Sequence, residues 1–200
     1  PSTDSGFATD VRKHYAACVS YADASVGKIM KALKASGAQK NTVVVLWGDH
    51  GWHLGNDRKW GKHTLFERSL KSVLIIKVPG IKTVQKKINT IVETVDIYPT
   101  LMELCGLKNP YELDGESLLS LIQNKKIVKN QKAFSFWEEG VSMRTDHYRL
   151  TQFYRNESPK IELYDHRNDP EENINIAAKK MKLVDSLLPF IAKIKPNFYN

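Results

Sequence analysis

A run of β-branched and apolar residues, Val43-Val-Val-Leu-Trp47, ends at Gly48 and hands the chain to Asp49 and His50. Glycines flank that pair at 48 and 51, and Lys62 returns thirteen residues after the aspartate, behind Trp60 and Gly61. The run is apolar on both faces, which suits a covered parallel sheet better than an edge strand. In such sheets ligands sit beyond the carboxyl ends of the strands, so the loop after Gly48 is where chemistry is expected. A carboxylate beside an imidazole offers two donors to a divalent cation, and a nearby lysine suits an anionic substrate held against it. Taken singly, the residues have plainer readings. Asp49 can bond turn amides while Gly51 supplies a positive φ, His53 and His63 are ordinary polar surface or supporting groups, and Lys62 is an ordinary solvated lysine. The combination is what singles the segment out.

Around it the spacing of apolar residues predicts the other elements. Val11, Tyr15, Cys18, Ala22, Val26, Ile29 and Leu33 recur at steps of three and four, an amphipathic helix stopped by Gly37. Residues 64–69 suit a short helix, and 73–78 a second buried strand ended by Pro79-Gly80. Asp96, three residues before Pro99, is expected to cap a helix that runs to Cys105 and stops at Gly106. Residues 116–123 form a further short helix. After a lysine-rich linker near 124–132, the runs 133–137, 141–143, 148–154 and 161–164 predict an antiparallel meander. Residues 171–194 then form a helix laid by its apolar side on that sheet, with Pro189 a kink or boundary. Residues 1–124 and 133–200 are thus expected as two domains, an α/β part and an α+β appendage.

Composition excludes some functions and leaves others open. No apolar stretch approaches the ~20 residues a membrane-spanning helix needs, and Pro1-Ser-Thr-Asp-Ser-Gly6 does not resemble a signal peptide. Cys18 and Cys105 give neither a disulfide framework nor zinc spacing, and both are expected as small buried hydrophobes. The net charge of +8 favours polyanions. The lysines are scattered, however, and no aromatic-interleaved basic stripe marks a nucleic-acid binder.

Thr42-Val-Val-Val-Leu-Trp-Gly-Asp-His-Gly-Trp-His-Leu-Gly55, with Lys59-Trp-Gly-Lys62, resembles the sulfatase family and, within it, the iduronate-2-sulfatase-like branch. Tyr15-Ala-Ala-Cys-Val-Ser-Tyr-Ala-Asp23 with Val26-Gly27 is similar to the helix before the metal-binding strand, and Val78-Pro-Gly80 to the end of the next strand. Glu93-Thr-Val-Asp-Ile-Tyr-Pro-Thr-Leu101, Leu113-Asp-Gly-Glu-Ser-Leu118, Met143-Arg-Thr-Asp-His-Tyr-Arg-Leu150 and Glu162-Leu-Tyr-Asp165 through Asp169-Pro-Glu171 continue the likeness, colinear over nearly the whole chain.

The resemblance implies an α/β class: the second half of an alkaline-phosphatase-like sulfatase fold, with a small C-terminal antiparallel sheet plus helix. It implies Asp49 and His50 as the last two protein ligands of the sulfatase calcium, Lys62 as the lysine on the sulfate ester, and Trp52 as a wall of the sugar pocket. Arg144 and Arg149 are ordinarily salt-bridged, but Arg144 also suits a substrate uronate carboxylate. Sulfatases make formylglycine from a Cys/Ser-x-Pro/Ala-x-Arg motif, and neither cysteine fits. Cys18 is followed by Val-Ser-Tyr-Ala, and Cys105 by Gly-Leu-Lys-Asn. The family's paired N-terminal aspartates and its first-half lysine and histidine also lack counterparts.

By this likeness the chain is the C-terminal part of a sulfatase, with half a calcium site and no nucleophile. The formylglycine is expected in the other half. The expected partners are a sulfated glycan or small sulfate ester, and the N-terminal half of the same protein or a self-associated copy. A sheet cut in half leaves an apolar edge, so the chain alone is expected to be marginally stable or paired. A periplasmic, secreted or lysosomal compartment follows from the family alone. The rival readings are a phosphatase or phosphonate hydrolase of the same superfamily, and a non-catalytic relic that binds a sulfated glycan or a partner.

Overall fold

The computed structural model describes residues 5–81, 87–123, 131–157 and 160–194, in two compact units. One comprises Pro1–Lys62 and Lys71–Ile81; the other comprises His63–Leu70 and Lys82–Asn200. Most of the linker expected near 124–132 lies outside the described residues.

The first unit opens with helix α1 (Ser5–Ala35). The apolar spacing drives it, and Gly37 ends it with φ 75°, a left-handed value that glycine adopts without a Cβ clash. Strand β1 (Val44–Trp47) follows and leads to the Asp49 loop. A small hairpin, β2 (His53–Leu54) with β3 (Trp60–Gly61), returns the chain to Lys62. Strand β4 (Leu74–Lys77) then pairs with β1, Val44 opposite Lys77 and Trp47 opposite Leu74.

That pairing corrects two expectations. The β1–β4 ladder is antiparallel, and its apolar side chains are open: Leu46, Trp47, Val73 and Ile75 are all exposed. An apolar pattern on both faces reports burial on both faces, which needs more strands and covering helices than the single neighbour β1 has among the described residues. On the apolar stripe of α1, Tyr15 and Ile29 are likewise exposed, while Val11, Val26 and Leu33 are half-buried. Cys18 on that helix, and Cys105 in the second unit, are free and exposed rather than buried.

The second unit holds the buried apolar cluster around Val141, Met143, Leu150 and Leu163. Helix α2 (Glu67–Leu70) lies in its short N-terminal segment. A single 3-10 turn, Thr94–Asp96, enters α3 (Ile97–Leu104), and Gly106 follows with φ 66°. Asp96 does not cap α3. Its carboxylate reaches back to the Glu93 amide (2.8 Å) and across to the Glu116 amide (2.9 Å), tying the 114–118 loop to the helix start. Helix α4 (Leu119–Ile122) follows.

The expected meander is present as β5 (Ala133–Trp137), β6 (Gly140–Arg144), β7 (Tyr148–Phe153) and β8 (Ile161–Asp165), in that order across one antiparallel sheet. One face carries Val141, Met143, Leu150 and Leu163. Helix α5 (Met181–Lys193) closes over it with Val184 and Ile191. Helix α5 begins about ten residues later than the spacing predicts. The Asp169 carboxylate takes the Ile174 amide, and Asn175 Oδ1 takes the amides of Ala177 and Leu163, which holds 169–177 in turns instead. Pro189 sits inside α5 rather than at its boundary.

Candidate active site

Strand β1 ends where expected, and Gly48 donates to the Val73 carbonyl (2.9 Å), fixing the start of the loop. Asp49 Oδ1 accepts the His50 amide at 3.1 Å, leaving Oδ2 facing His50 Nε2 at 3.4 Å. Gly51 has no positive φ, so the plain turn that would need one is not the conformation adopted. His50 Nδ1 lies 2.7 Å from the Gly51 carbonyl, an atom that can only accept. That contact fits the tautomer with its proton on Nδ1 and a lone pair on Nε2. The Lys62 ammonium donates to this same Nε2 at 2.8 Å.

A carboxylate oxygen and an ammonium donor therefore converge on one imidazole nitrogen. A histidine that ligates a metal ordinarily gives its other N–H to a carbonyl or carboxylate, which is the arrangement of His50. The Asp49 side chain is 73% exposed, so its carboxylate is open to an ion. Asp49 and His50 fit a divalent cation as part of a larger set, since calcium takes about six to eight ligands. Trp52, also exposed, sets its ring 6.0 Å from that of His50. All four residues belong to the same unit.

A family model, "N-sulphoglucosamine sulphohydrolase, C-terminal", matches residues 48–193. The chain belongs to that sulfatase family. A sulfatase of Formosa agariphila is 36% identical over 199 residues, covering 94% of this chain and 38% of the relative. Among solved structures, a 2-O GAG sulfatase superposes with TM-score 0.72 at 29% identity, covering 86% of this chain and 41% of its own. A phosphonate monoester hydrolase from Silicibacter pomeroyi superposes with TM-score 0.71 at 25% identity, covering 86% and 38%. The chain thus spans well under half the length of these proteins. It corresponds to the C-terminal portion of the sulfatase α/β fold.

Arg144 lies in the other unit. Its Nε donates to Glu67 Oε2 at 3.2 Å and its Nη1 to the Thr145 carbonyl, so the guanidinium is in the salt bridge that was the ordinary reading. The surrounding network was not legible in the sequence. Arg144 and Arg149 face each other across β6 and β7, a like-charge pair that would repel. Glu67 sits between them and accepts from both. Glu172 accepts from Arg149 Nε (2.5 Å), His166 Nε2 (2.7 Å) and the Glu67 amide (2.7 Å). Burial by itself pushes Glu67 up, but Arg149, Arg144 and His166 outweigh it and hold the carboxyl below its ordinary value.

Glu67, His166 and Glu172 bring donor atoms within 4.8 Å of one another. Because both carboxylates already hold guanidinium groups, the cluster is an ion-pair network rather than a metal centre. The only advance signal for it was a polar residue at every other position of β6 and β7, where Ser142, Arg149 and Thr151 are buried.

Proposed function

We propose that the protein carrying this chain hydrolyses sulfate esters of glycans, in the manner of the iduronate-2-sulfatase-like branch. The observation that carries the reading is the convergence of Asp49 Oδ2 and Lys62 Nζ on the lone-pair nitrogen of His50. The similarity to a 2-O GAG sulfatase supports a 2-O-sulfated glycosaminoglycan as substrate class. In this reading, residues 1–124 belong to the catalytic α/β domain and 133–200 to a C-terminal subdomain. The paired aspartates and the formylglycine are supplied outside this chain, by the N-terminal half.

Asp49 and His50 would hold calcium, which, when bound, draws negative charge from the sulfate oxygens as the S–O bond breaks. The Gly51 carbonyl keeps His50 in the ligating tautomer throughout. Lys62 stands on a flexible stem, so its ammonium can leave Nε2 for a sulfate oxygen. There it neutralises charge that grows toward the transition state, when it matters most. Trp52 beside His50 offers an apolar wall on which a sugar ring can rest.

The similarity to a phosphonate monoester hydrolase keeps one rival in view. The test is an assay of the intact protein on 4-methylumbelliferyl sulfate, a 2-O-sulfated uronate disaccharide, and matched phosphate and phosphonate monoesters, with metal analysis of the purified protein. Faster release of sulfate, with about one calcium bound per site, is the expected result. Preferential cleavage of the phosphorus esters, or a transition metal in place of calcium, would favour the rival. An inert protein that still binds the disaccharide would favour the relic.

A further inference from the structure

We propose that Glu67 is a positioning residue for Lys62: it locks the segment His63–Leu70 in place and so fixes the backbone from which the lysine acts. The inference rests on the sulfatase reading and concerns a residue that works through another.

The chain leaves the first unit after Lys62, spends His63–Leu70 in the second, and returns to the first at Lys71. Both ends of this detour lead into the candidate site. His63 follows Lys62 directly, so their Cα atoms lie about 3.8 Å apart, and the Lys62 ammonium rests on His50 at 2.8 Å. Three residues past Leu70, the Val73 carbonyl takes the Gly48 amide at 2.9 Å and fixes the start of the Asp49 loop. A connecting segment of this length is ordinarily exposed and mobile. This one is pinned along its length.

The ties all lie within the second unit. The His63 ring stacks on Trp137, centroids 4.8 Å apart. Leu65 is buried, and its Cδ1 lies so close to Gly140 that a Cβ there would sit 2.6 Å from it. The Thr64 and Ser69 hydroxyls share a hydrogen bond of 2.8 Å, and Phe66 meets the Tyr164 ring at 5.8 Å. Glu67 is the centre of these ties. Its carboxylate accepts from Arg144 on β6 and Arg149 on β7, and its amide donates to Glu172 at 2.7 Å. Side chain and backbone of one residue are thus both held, five residues from Lys62. An ion pair this shielded is often no more stabilising than a well-packed apolar replacement, so stability alone is a weak reason for it. Placement is a stronger one, since a residue that acts on substrate needs supporting groups that lock its geometry. A misplacement of about 1 Å can cost about a hundredfold in rate.

The test is a double-mutant cycle on the intact protein, read as kcat on 4-methylumbelliferyl sulfate with bound metal measured in parallel. Glu67→Gln should lower kcat about tenfold while Lys62 is present, with metal content unchanged. In the Lys62→Ala background the same substitution should change the residual rate by less than about twofold, because no ammonium is left to misplace. Arg144→Gln, which leaves Arg149 on Glu67, should show the same dependence on Lys62 with a smaller loss, and Arg144→Lys should restore part of it. If Glu67→Gln does not fold, the Arg144 variants carry the cycle. A wild-type kcat in Glu67→Gln would overturn the role. The same fractional loss with and without Lys62 would also overturn it, because a general weakening of the fold acts on both backgrounds alike. A wild-type protein inert on the ester would instead overturn the sulfatase reading, and this inference with it.

Discussion

In the C-terminal sheet, Val141, Met143, Leu150 and Leu163 are wholly shielded from water, whereas strand residues of the ribbon leading to Asp49 are not. Leu46, Trp47 and Ile75 there keep 37%, 45% and 55% of their surface exposed. The sheet of the second unit has a helix to close its apolar face and an ion-pair network on the other. The first unit carries the candidate chemistry on a two-stranded ribbon and a 31-residue helix on which Tyr15 and Ile29 are exposed. Within one chain, then, stability and chemistry are concentrated in different units. The residues that fix the sheet answer to each other, while those that would act on a substrate are left with open atoms.

From that contrast, the largest losses of stability are expected in the second unit. Arg149→Ala leaves Glu172 buried without its guanidinium, and breaking such a pair is expected to cost about 3–5 kcal/mol in urea unfolding. Met143→Ala opens a cavity under α5 and should cost about 2–5 kcal/mol. The matching truncation on α1, Ile29→Ala, should stay within about 0.5 kcal/mol of wild type in the chain by itself, because the side chain is exposed. Equal losses at Met143 and Ile29 would erase the contrast.

Acid sharpens it further. Glu67 is depressed below its ordinary 4.5 in the folded state, because burial, which raises it, is outweighed by Arg149, Arg144 and His166. Its pairs therefore add stability that is complete above about 4.5 and is lost as pH falls through the lower folded value. Glu67→Gln should flatten that acid limb; a limb as steep as that of wild type would count against the network. The smallest effect is expected at Glu93, which burial pushes up and the Asp96 charge pushes further, against the Phe134 amide. Its ionised form is a mild liability at neutral pH. Glu93→Gln keeps an acceptor for Phe134 and should unfold at the same or slightly higher urea concentration at pH 7, the gap closing in acid. A clear loss would mean that the charge itself is needed.

Local periodicity made much of this fold readable. The steps of three and four along 11–33 and the β-prone runs between turns after residue 132 gave α1 and the meander, because both depend on neighbours in sequence. The direction and cover of β1 were misjudged because they depend on which other strands are present, and a strand's own residues record only that cover is wanted. The late start of α5 turned on the carboxylate of Asp169 and the amide of Asn175, side chains that compete with the helix for backbone partners. Asp49, His50 and Lys62 were legible as a motif, and the structure brings all three to one nitrogen. Glu67 was not, since its partners lie 77, 82 and 105 residues away.

The central claim is that Asp49, His50 and Lys62 serve a sulfate ester. It is tested most directly by the rate at which the intact protein releases sulfate with and without the lysine amine. Lys62→Ala is expected to lower kcat by roughly a hundredfold or more with bound metal content unchanged, since the lost contact is one that strengthens in the transition state. A variant that turns over at the wild-type rate would contradict the account.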